Sequence, residues 1–417
     1  MPIVLSNLSK KFTSLPFMWT KKKHSSFMEN ILRNLTRSIV SGRIVFVLID
    51  GQKIECDSGV KGANARIELN SLKPLRRLVT SGYLGLAEGY ISGEWTTPSL
   101  RDLFDFGAEN MTPLDVDLTT NTFVNISNEI IKFFKRNNRK GSRKNISDHY
   151  DLGNKFFGEW LDNSMTYSSG IYDANTALGL LEAQEAKYRR IIEKLDIQSH
   201  HCVLEIGCGW GGFAEFAAKE TGAKISGITI SQEQYDFAVG RIAEANLQHC
   251  VDIQLKDYRD LTGKFDRVVS IEMLEAVGEK YWPTYFDKVS SCLAHKGEAM
   301  IQVITMPDHL FEAYRESIDF IQRYIFPGGM LPSPGKMSQL SKLSDLEMLE
   351  PFMFGSSYAL TLEAWQKSFQ HRWETIQAYG FDDRFKRIWE YYLEYTSAGF
   401  RAGAIDVGQF HFRKNSA

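Results

Sequence analysis

From residue 200 onward, short apolar runs alternate with amphipathic ones, and this predicts a parallel sheet wound with helices. The apolar runs at 202–206, 224–230, 251–256, 266–271 and 298–304 read as strands. Between them, 213–220, 232–246 and 281–294 carry helical spacing. Farther on, Ile405, Val407, Phe410 and Phe412 alternate, so 405–413 is a candidate strand to close the sheet. The alternation breaks at 306–344, an insertion expected to cover the site, with Pro327-Gly328-Gly329 marking a turn. Upstream, 43–49 is strand-like and 65–69 alternates as a half-buried strand does, so 31–110 reads as a small α+β unit.

At 417 residues the chain is long enough for two or three domains. A net charge of −2 provides no global field for nucleic acid or membrane, so any such partner must be met by a local patch. One candidate patch is Lys132, Lys135, Arg136, Arg139, Lys140, Arg143 and Lys144, interleaved with Phe133 and Phe134. A solvated linker and a contact with anionic lipid both suit it, the latter at about 1 kcal/mol per basic residue near the surface. Nothing else in the chain supports nucleic acid. Residues 1–30 mix apolar positions with lysines and read as a mobile arm or a membrane-surface contact. The five cysteines form no CxxC pair, which argues against a zinc site or a disulfide framework and fits the cytoplasm. No signal peptide and no membrane-spanning run are expected.

The most informative run is Val203-Leu204-Glu205-Ile206-Gly207-Cys208-Gly209-Trp210-Gly211-Gly212. A strand running into glycines and then a helix opens a nucleotide-type site at the carboxyl end of a parallel sheet. A dinucleotide site would show G-x-G-x-x-G and an acid about 20 residues on; here the spacing is G-x-G-x-G-G and the next strand ends in Gly227-Ile228-Thr229. No G-K-[ST] follows, so a phosphate loop is excluded. The run is similar to the first motif of class I S-adenosylmethionine methyltransferases.

Further runs are His149-Tyr150-Asp151-Leu152-Gly153-Asn154, Met165-Thr166-Tyr167-Ser168, Gly227-Ile228-Thr229-Ile230-Ser231, Asp257-Tyr258-Arg259-Asp260, Phe326-Pro327-Gly328-Gly329 and Phe400-Arg401. Together they closely resemble the cyclopropane-fatty-acyl-phospholipid synthases and mycolic acid cyclopropane synthases, strongly over 149–414. Residues 85–95 weakly resemble the N-terminal domain of the phospholipid-acting branch. The resemblance implies a class I methyltransferase doubly wound α/β sheet with a helical insertion, plus a small N-terminal α+β domain. It divides the chain into an arm (1–30), a lipid- or membrane-associated domain (31–125), a basic linker (126–148) and a catalytic domain (149–417). It implies S-adenosylmethionine held by Tyr167, Ser168, Glu205, Gly207, Gly209, Gly211, Thr229, Gln234, Asp257 and Tyr258. On residue type alone, Gln234 is equally a surface helix residue and Tyr258 a packing aromatic.

The implied reaction is methyl transfer to a cis double bond of an acyl chain in a membrane phospholipid. The alkene must be aligned with the sulfonium methyl, and the resulting carbocation must be kept from water. Tyr324, Phe326, Tyr358, Trp365 and Phe400 are candidates to stabilise it. In cyclopropane synthases the last proton is thought to go to a bound bicarbonate ion, whose ligands would fall at Ser169, Glu275, Gln302, Ile304 and Tyr358. Here the chain departs from the family. Ser169 replaces cysteine, Gln302 replaces histidine, Ala276 replaces the histidine after the glutamate, and Thr396 stands where a cysteine is usual. Glu272 stands at a position usually glycine, as in the hydroxymycolate-forming branch. Two nearby carboxylates would repel bicarbonate unless protonated, and one could then be the base. Bicarbonate is therefore in question, and the product is open between a cyclopropane, a methyl or methylene branch and a hydroxylated chain. The resemblance further implies a homodimer, peripheral at the cytoplasmic face of the inner membrane. The rival readings are a methyltransferase of a soluble small molecule and a non-catalytic lipid-binding protein.

Overall fold

The computed structural model describes residues 29–30, 32–33, 36–110, 152–172 and 178–415. The basic stretch 126–148, His149-Tyr150-Asp151 and all but the last two residues of the expected arm lie outside these. The chain forms two compact units, Met1–Ile130 with Phe381–Ala402, and Ile131–Gly380 with Gly403–Ala417.

In the first unit, β1 (Arg43–Val47), β2 (Lys53–Asp57), β3 (Asn64–Leu69) and β4 (Trp95–Thr96) pair in the order β2-β1-β3-β4. The helix Lys73–Ile91 bends at Gly82, whose φ of 56° and ψ of −142° are not helical. Trp95 is fully buried and its indole N–H donates to the Leu86 carbonyl at 2.8 Å. The helix Asp383–Arg401 also belongs here. Its Tyr391 packs edge-on to Phe104 at 4.9 Å, and its Arg401 donates to Asp105 and Glu394, each at 2.7 Å. This helix lies within 149–417 and groups with the first unit. The reason is packing: Tyr391 is buried against Tyr90 and Phe104 of the first unit.

The second unit is built on an eight-stranded sheet. Its strands are β5 (Cys202–Ile206), β6 (Lys224–Thr229), β7 (Val251–Leu255), β8 (Phe265–Ile271), β9 (Leu293–Thr305), β10 (Leu346–Met348), β11 (Phe352–Met353) and β12 (Asp406–Lys414). The order is β10-β12-β9-β8-β5-β6-β7, with β11 also on β12. The strands β9, β8, β5, β6 and β7 are parallel, and β12 closes antiparallel to β9. Strands buried on both faces need near-continuous apolar runs, which is why Val203, Leu204 and Ile206 are all inaccessible. The helices Gly212–Thr221, Gln232–Glu244 and Trp282–Cys292 fall close to their expected spans. The helices Leu180–Lys194 and Gly355–His371 were not foreseen, and both supply residues to the site. The insertion after β9 holds the helices Asp308–Glu316, Phe320–Tyr324 and Pro334–Leu343.

The strand order reverses between β5 and β8, which run side by side in parallel. In open α/β sheets, ligands bind outside the carboxyl ends of the strands at such a switch point. Gly207 follows β5 and Glu272 follows β8, so the fold brings both to one place. A Cβ on Gly207 would lie 2.8 Å from Met273 Cγ, which measures how close the two turns are.

Candidate active site

The turn after β5 uses glycine where the backbone requires it. Gly207, Gly209 and Gly211 have φ of 83°, 52° and 81°, and Gly211 caps the helix Gly212–Thr221. Around Gly209 nothing lies within 4 Å of where a Cβ would be, so this turn faces open space. Glu205 at the end of β5 is buried, and one of its carboxyl oxygens has no hydrogen-bond partner. Burial pushes its pKa up to about 8, opposed by Lys187. An orphaned buried carboxyl beside an open glycine turn suits a ligand whose ammonium would ionise it and donate to it, and S-adenosylmethionine has one.

The other expected cofactor residues fall around the same strand ends, on β6 and after β7. Thr229 Oγ1 donates to Gln234 Oε1 at 2.8 Å, and Gln234 N donates to the capping hydroxyl of Ser231. Both side chains are buried, so Gln234 is not the surface residue its type alone allowed. Asp257 accepts from Arg259 Nε and Nη2 at 2.8 and 2.6 Å. Tyr258 packs edge-on to Tyr285 at 5.6 Å within the core cluster, and burial pushes its hydroxyl up to about 12. Its packing role is therefore real, beside any contact with a ligand.

Tyr167 sits in an aromatic wall, with ring centroids 5.3 Å from Trp365, 5.6 Å from Trp160 and 6.2 Å from Phe326. Tyr358 joins it through Trp365 at 6.1 Å. Tyr324 packs on Phe320 within the insertion. Phe400 and Thr396 lie on the helix Asp383–Arg401, in the first unit. The turn at Pro327-Gly328-Gly329 forms as expected. Gly329 N donates to the Phe326 carbonyl, and Met330 N donates to the Glu275 carbonyl at 2.9 Å, tying the insertion to the site.

At the centre is Glu272. Its Oε1 accepts from Ser169 N and from Gln302 Nε2, each at 2.9 Å, and its Oε2 accepts from the Tyr358 hydroxyl at 2.6 Å. Glu275 Oε1 accepts from Ile304 N at 2.7 Å, while its Oε2 is buried without a partner. These four donors belong to the residues that the family would use to hold bicarbonate. In this chain two carboxylates of the protein have taken them. A carbonate anion does not fit beside Glu272: it would meet that carboxylate on the donors of Ser169, Gln302 and Tyr358. Burial first, then Glu272, pushes Glu275 up to about 8, so Glu275 holds its proton at neutral pH. Burial also raises Glu272, but the three hydrogen bonds and the charge of Lys187 oppose it. The single negative charge therefore rests on Glu272.

Sequence reasoning missed Gln184 and Lys187. The Lys187 ammonium is fully buried and donates to Ser168 Oγ at 2.7 Å and to Gln184 Oε1 at 2.5 Å. Gln184 Nε2 donates to the Ser168 carbonyl at 2.8 Å. The pair holds both sides of Ser168 and so orients the next peptide N–H, the one on Glu272. Burial lowers the pKa of Lys187 to about 7, opposed by Glu272, Asp162 and Glu205. The available signal was a lysine at a position where its helix has to be buried.

The model of the family described as mycolic acid cyclopropane synthetase matches residues 137–410. The tuberculostearic acid methyltransferase of Mycobacterium tuberculosis is 37% identical over 342 residues, covering 80% of each chain. The cyclopropane-fatty-acyl-phospholipid synthase of Escherichia coli is 35% identical over 357 residues, covering 84% of this chain and 88% of that one. Among solved structures, a mycolic acid cyclopropane synthase complexed with SAH and CTAB superposes with a TM-score of 0.62 at 27% identity. That match covers 65% of this chain and 98% of the other.

Proposed function

The chain belongs to the mycolic acid cyclopropane synthetase family and is an S-adenosylmethionine-dependent methyltransferase; from that premise we propose that it C-methylates cis double bonds of unsaturated acyl chains in membrane phospholipids, with Glu272 as the proton acceptor. The observation that carries the reading is the Glu272 carboxylate seated on Ser169 N, Gln302 Nε2 and the Tyr358 hydroxyl.

Bound S-adenosylmethionine supplies an electrophilic methyl group on its sulfonium. The π electrons of the alkene form the new C–C bond to that methyl as its bond to sulfur breaks, the electron pair staying on sulfur, and the neighbouring carbon becomes a cation. Tyr167, Phe326, Tyr358 and Trp365 wall this cation from water, and ring faces in a desolvated site stabilise a cation by about 2 kcal/mol. The cation then loses a proton to Glu272, and the bond that held it closes the ring or forms a new double bond. If water adds to the cation instead, Glu272 takes the proton of that water and the product is a hydroxylated chain. Glu275, protonated at neutral pH, adds no second negative charge.

Glu205, the glycine turn, Thr229, Gln234, Asp257 and Tyr258 line the side on which the cofactor binds. The small unit at 31–125 and the basic linker at 126–148 carry the enzyme as a homodimer to the anionic cytoplasmic face of the inner membrane. In support, the phospholipid synthase relative aligns over 84% of this chain, beyond the methyltransferase part alone. No helix among the described residues is long and apolar enough to cross a membrane.

The test is purified enzyme, S-adenosylmethionine and anionic vesicles with oleoyl chains, with the fatty acids read by mass spectrometry. Unsaturated chains gain one CH2, or CH2 and water, and saturated chains gain nothing. Glu272→Gln lowers turnover by about 100-fold or more, the usual worth of a positioned base. No methyl-derived gain on unsaturated chains refutes the substrate. Full turnover in Glu272→Gln refutes the role of Glu272.

A further inference from the structure

A chain of side-chain hydrogen bonds crosses the sheet and ends on Glu272. Gln409 on β12 is the register partner of Gln302 on β9, and Gln302 is the partner of Ile271, the residue before Glu272. Arg190 Nη1 donates to Gln409 Oε1 at 2.5 Å, Gln409 Nε2 donates to Gln302 Oε1 at 3.1 Å, and Gln302 Nε2 donates to Glu272 Oε1 at 2.9 Å. Both glutamines are buried. Arg190 is half-buried on the helix Leu180–Lys194 and lies 3.9 Å over the Phe352 ring, which fixes its plane.

A buried amide can point either way, and only its neighbours decide. Here both ends are unambiguous. A guanidinium only donates, so Gln409 must turn its oxygen to Arg190. That turns its nitrogen to Gln302, whose nitrogen then faces Glu272. Glu272 Oε1 at the far end accepts, so the directions agree along the whole chain. We infer that Arg190 and Gln409 are positioning residues, which lock the Gln302 amide so that its N–H stays on the Glu272 carboxylate. The inference rests on the reading of Glu272 as proton acceptor.

The charged and titratable groups facing Glu272 are Lys187 from the helix Leu180–Lys194, Tyr358 from the helix Gly355–His371, and Glu275 from its own turn. None of them is altered by a change at position 409 or 190. Losing the Gln302 donor therefore raises the pH at which Glu272 takes a proton. Arg190 and Gln409 also line an open cleft of about 270 Å³, so shortening Arg190 leaves no enclosed void.

The experiment compares full-length Gln409→Leu, Arg190→Met and Arg190→Lys with the wild type. Difference infrared spectroscopy follows the carboxylate band that Glu272→Gln removes, and kcat is measured against pH on oleoyl vesicles. In Gln409→Leu and Arg190→Met the infrared midpoint rises by about one unit, because a hydrogen bond to a charged group is lost. At a pH below that midpoint kcat falls about tenfold with KM little changed. Arg190→Lys, still a pure donor, stays near the wild type. Wild-type midpoints and pH profiles in folded Gln409→Leu or Arg190→Met would overturn the inference. The infrared readout separates the two proposals: a shifted midpoint supports the relay even where Glu272→Gln turns over normally and the base reading falls.

Discussion

Glu272 is held at φ of 49°, in the left-handed region that costs a non-glycine residue about 1–2 kcal/mol. The resemblance had already marked this position as one where glycine is usual, and the backbone now gives the reason. A glutamate here is kept against local strain, and its carboxylate is seated on three donors. Removing the side chain returns those donors. Glu272→Gly is therefore expected to lose turnover and to regain part of it when formate or bicarbonate is added, while neither anion stimulates the wild type. Turnover assays on vesicles check this, and a folded Glu272→Gly that no small carboxylate rescues would show that the donors are not a usable anion seat. Glu272, Glu275, Gln302, Ser169 and Tyr358 were nameable as residues before any coordinates. Their division of labour was not, because which carboxylate keeps the charge depends on three hydrogen bonds against one.

The strand-turn-helix element at 202–221 was the most legible part of the chain, since its glycines and apolar run encode it locally. Its glycines nevertheless do different work. Ala at Gly207 adds a Cβ that would lie 2.8 Å from Met273 Cγ at φ of 83°, so the turn after β8 must shift. Ala at Gly209 meets nothing within 4 Å and carries only the strain of its φ of 52°. Gly207→Ala should thus cost clearly more stability than the ~1 to 3 kcal/mol of backbone strain expected for Gly209→Ala. Gly209→Ala should instead weaken S-adenosylhomocysteine binding out of proportion to its stability loss, because its methyl fills open space at the turn. Chemical denaturation and calorimetry measure the two effects. Equal stability loss with unchanged binding in both would remove Gly209 from the cofactor site. The helices Leu180–Lys194 and Gly355–His371 were illegible by comparison. Their site-facing residues, Gln184, Lys187 and Tyr358, are polar groups on faces that only tertiary packing buries.

At the scale of the molecule, the chain leaves the second unit after Gly380, adds the helix Asp383–Arg401 to the first, and returns at Gly403. A fragment starting at residue 137 should therefore be poorly folded despite containing the whole family match. It would expose Trp389, Tyr391 and Tyr392, at about 1.5–3 kcal/mol for each large apolar side chain. Dye binding and a broadened unfolding transition relative to the full chain are the expected results. A fragment that unfolds cooperatively without binding dye would show that this helix needs no partner. The sequence by itself determined the doubly wound sheet, the glycine turn and the family, because apolar periodicity, glycine and short motifs act over a few residues. Only the tertiary structure decided that residues 381–402 group with the first unit, that a hydrogen-bond chain links Arg190 to Glu272, and that Glu272 and Glu275 accept from Ser169, Gln302, Tyr358 and Ile304. Those facts join residues from 29 to 296 positions apart, and burial, hydrogen-bond direction and charge state exist only once such residues are in contact.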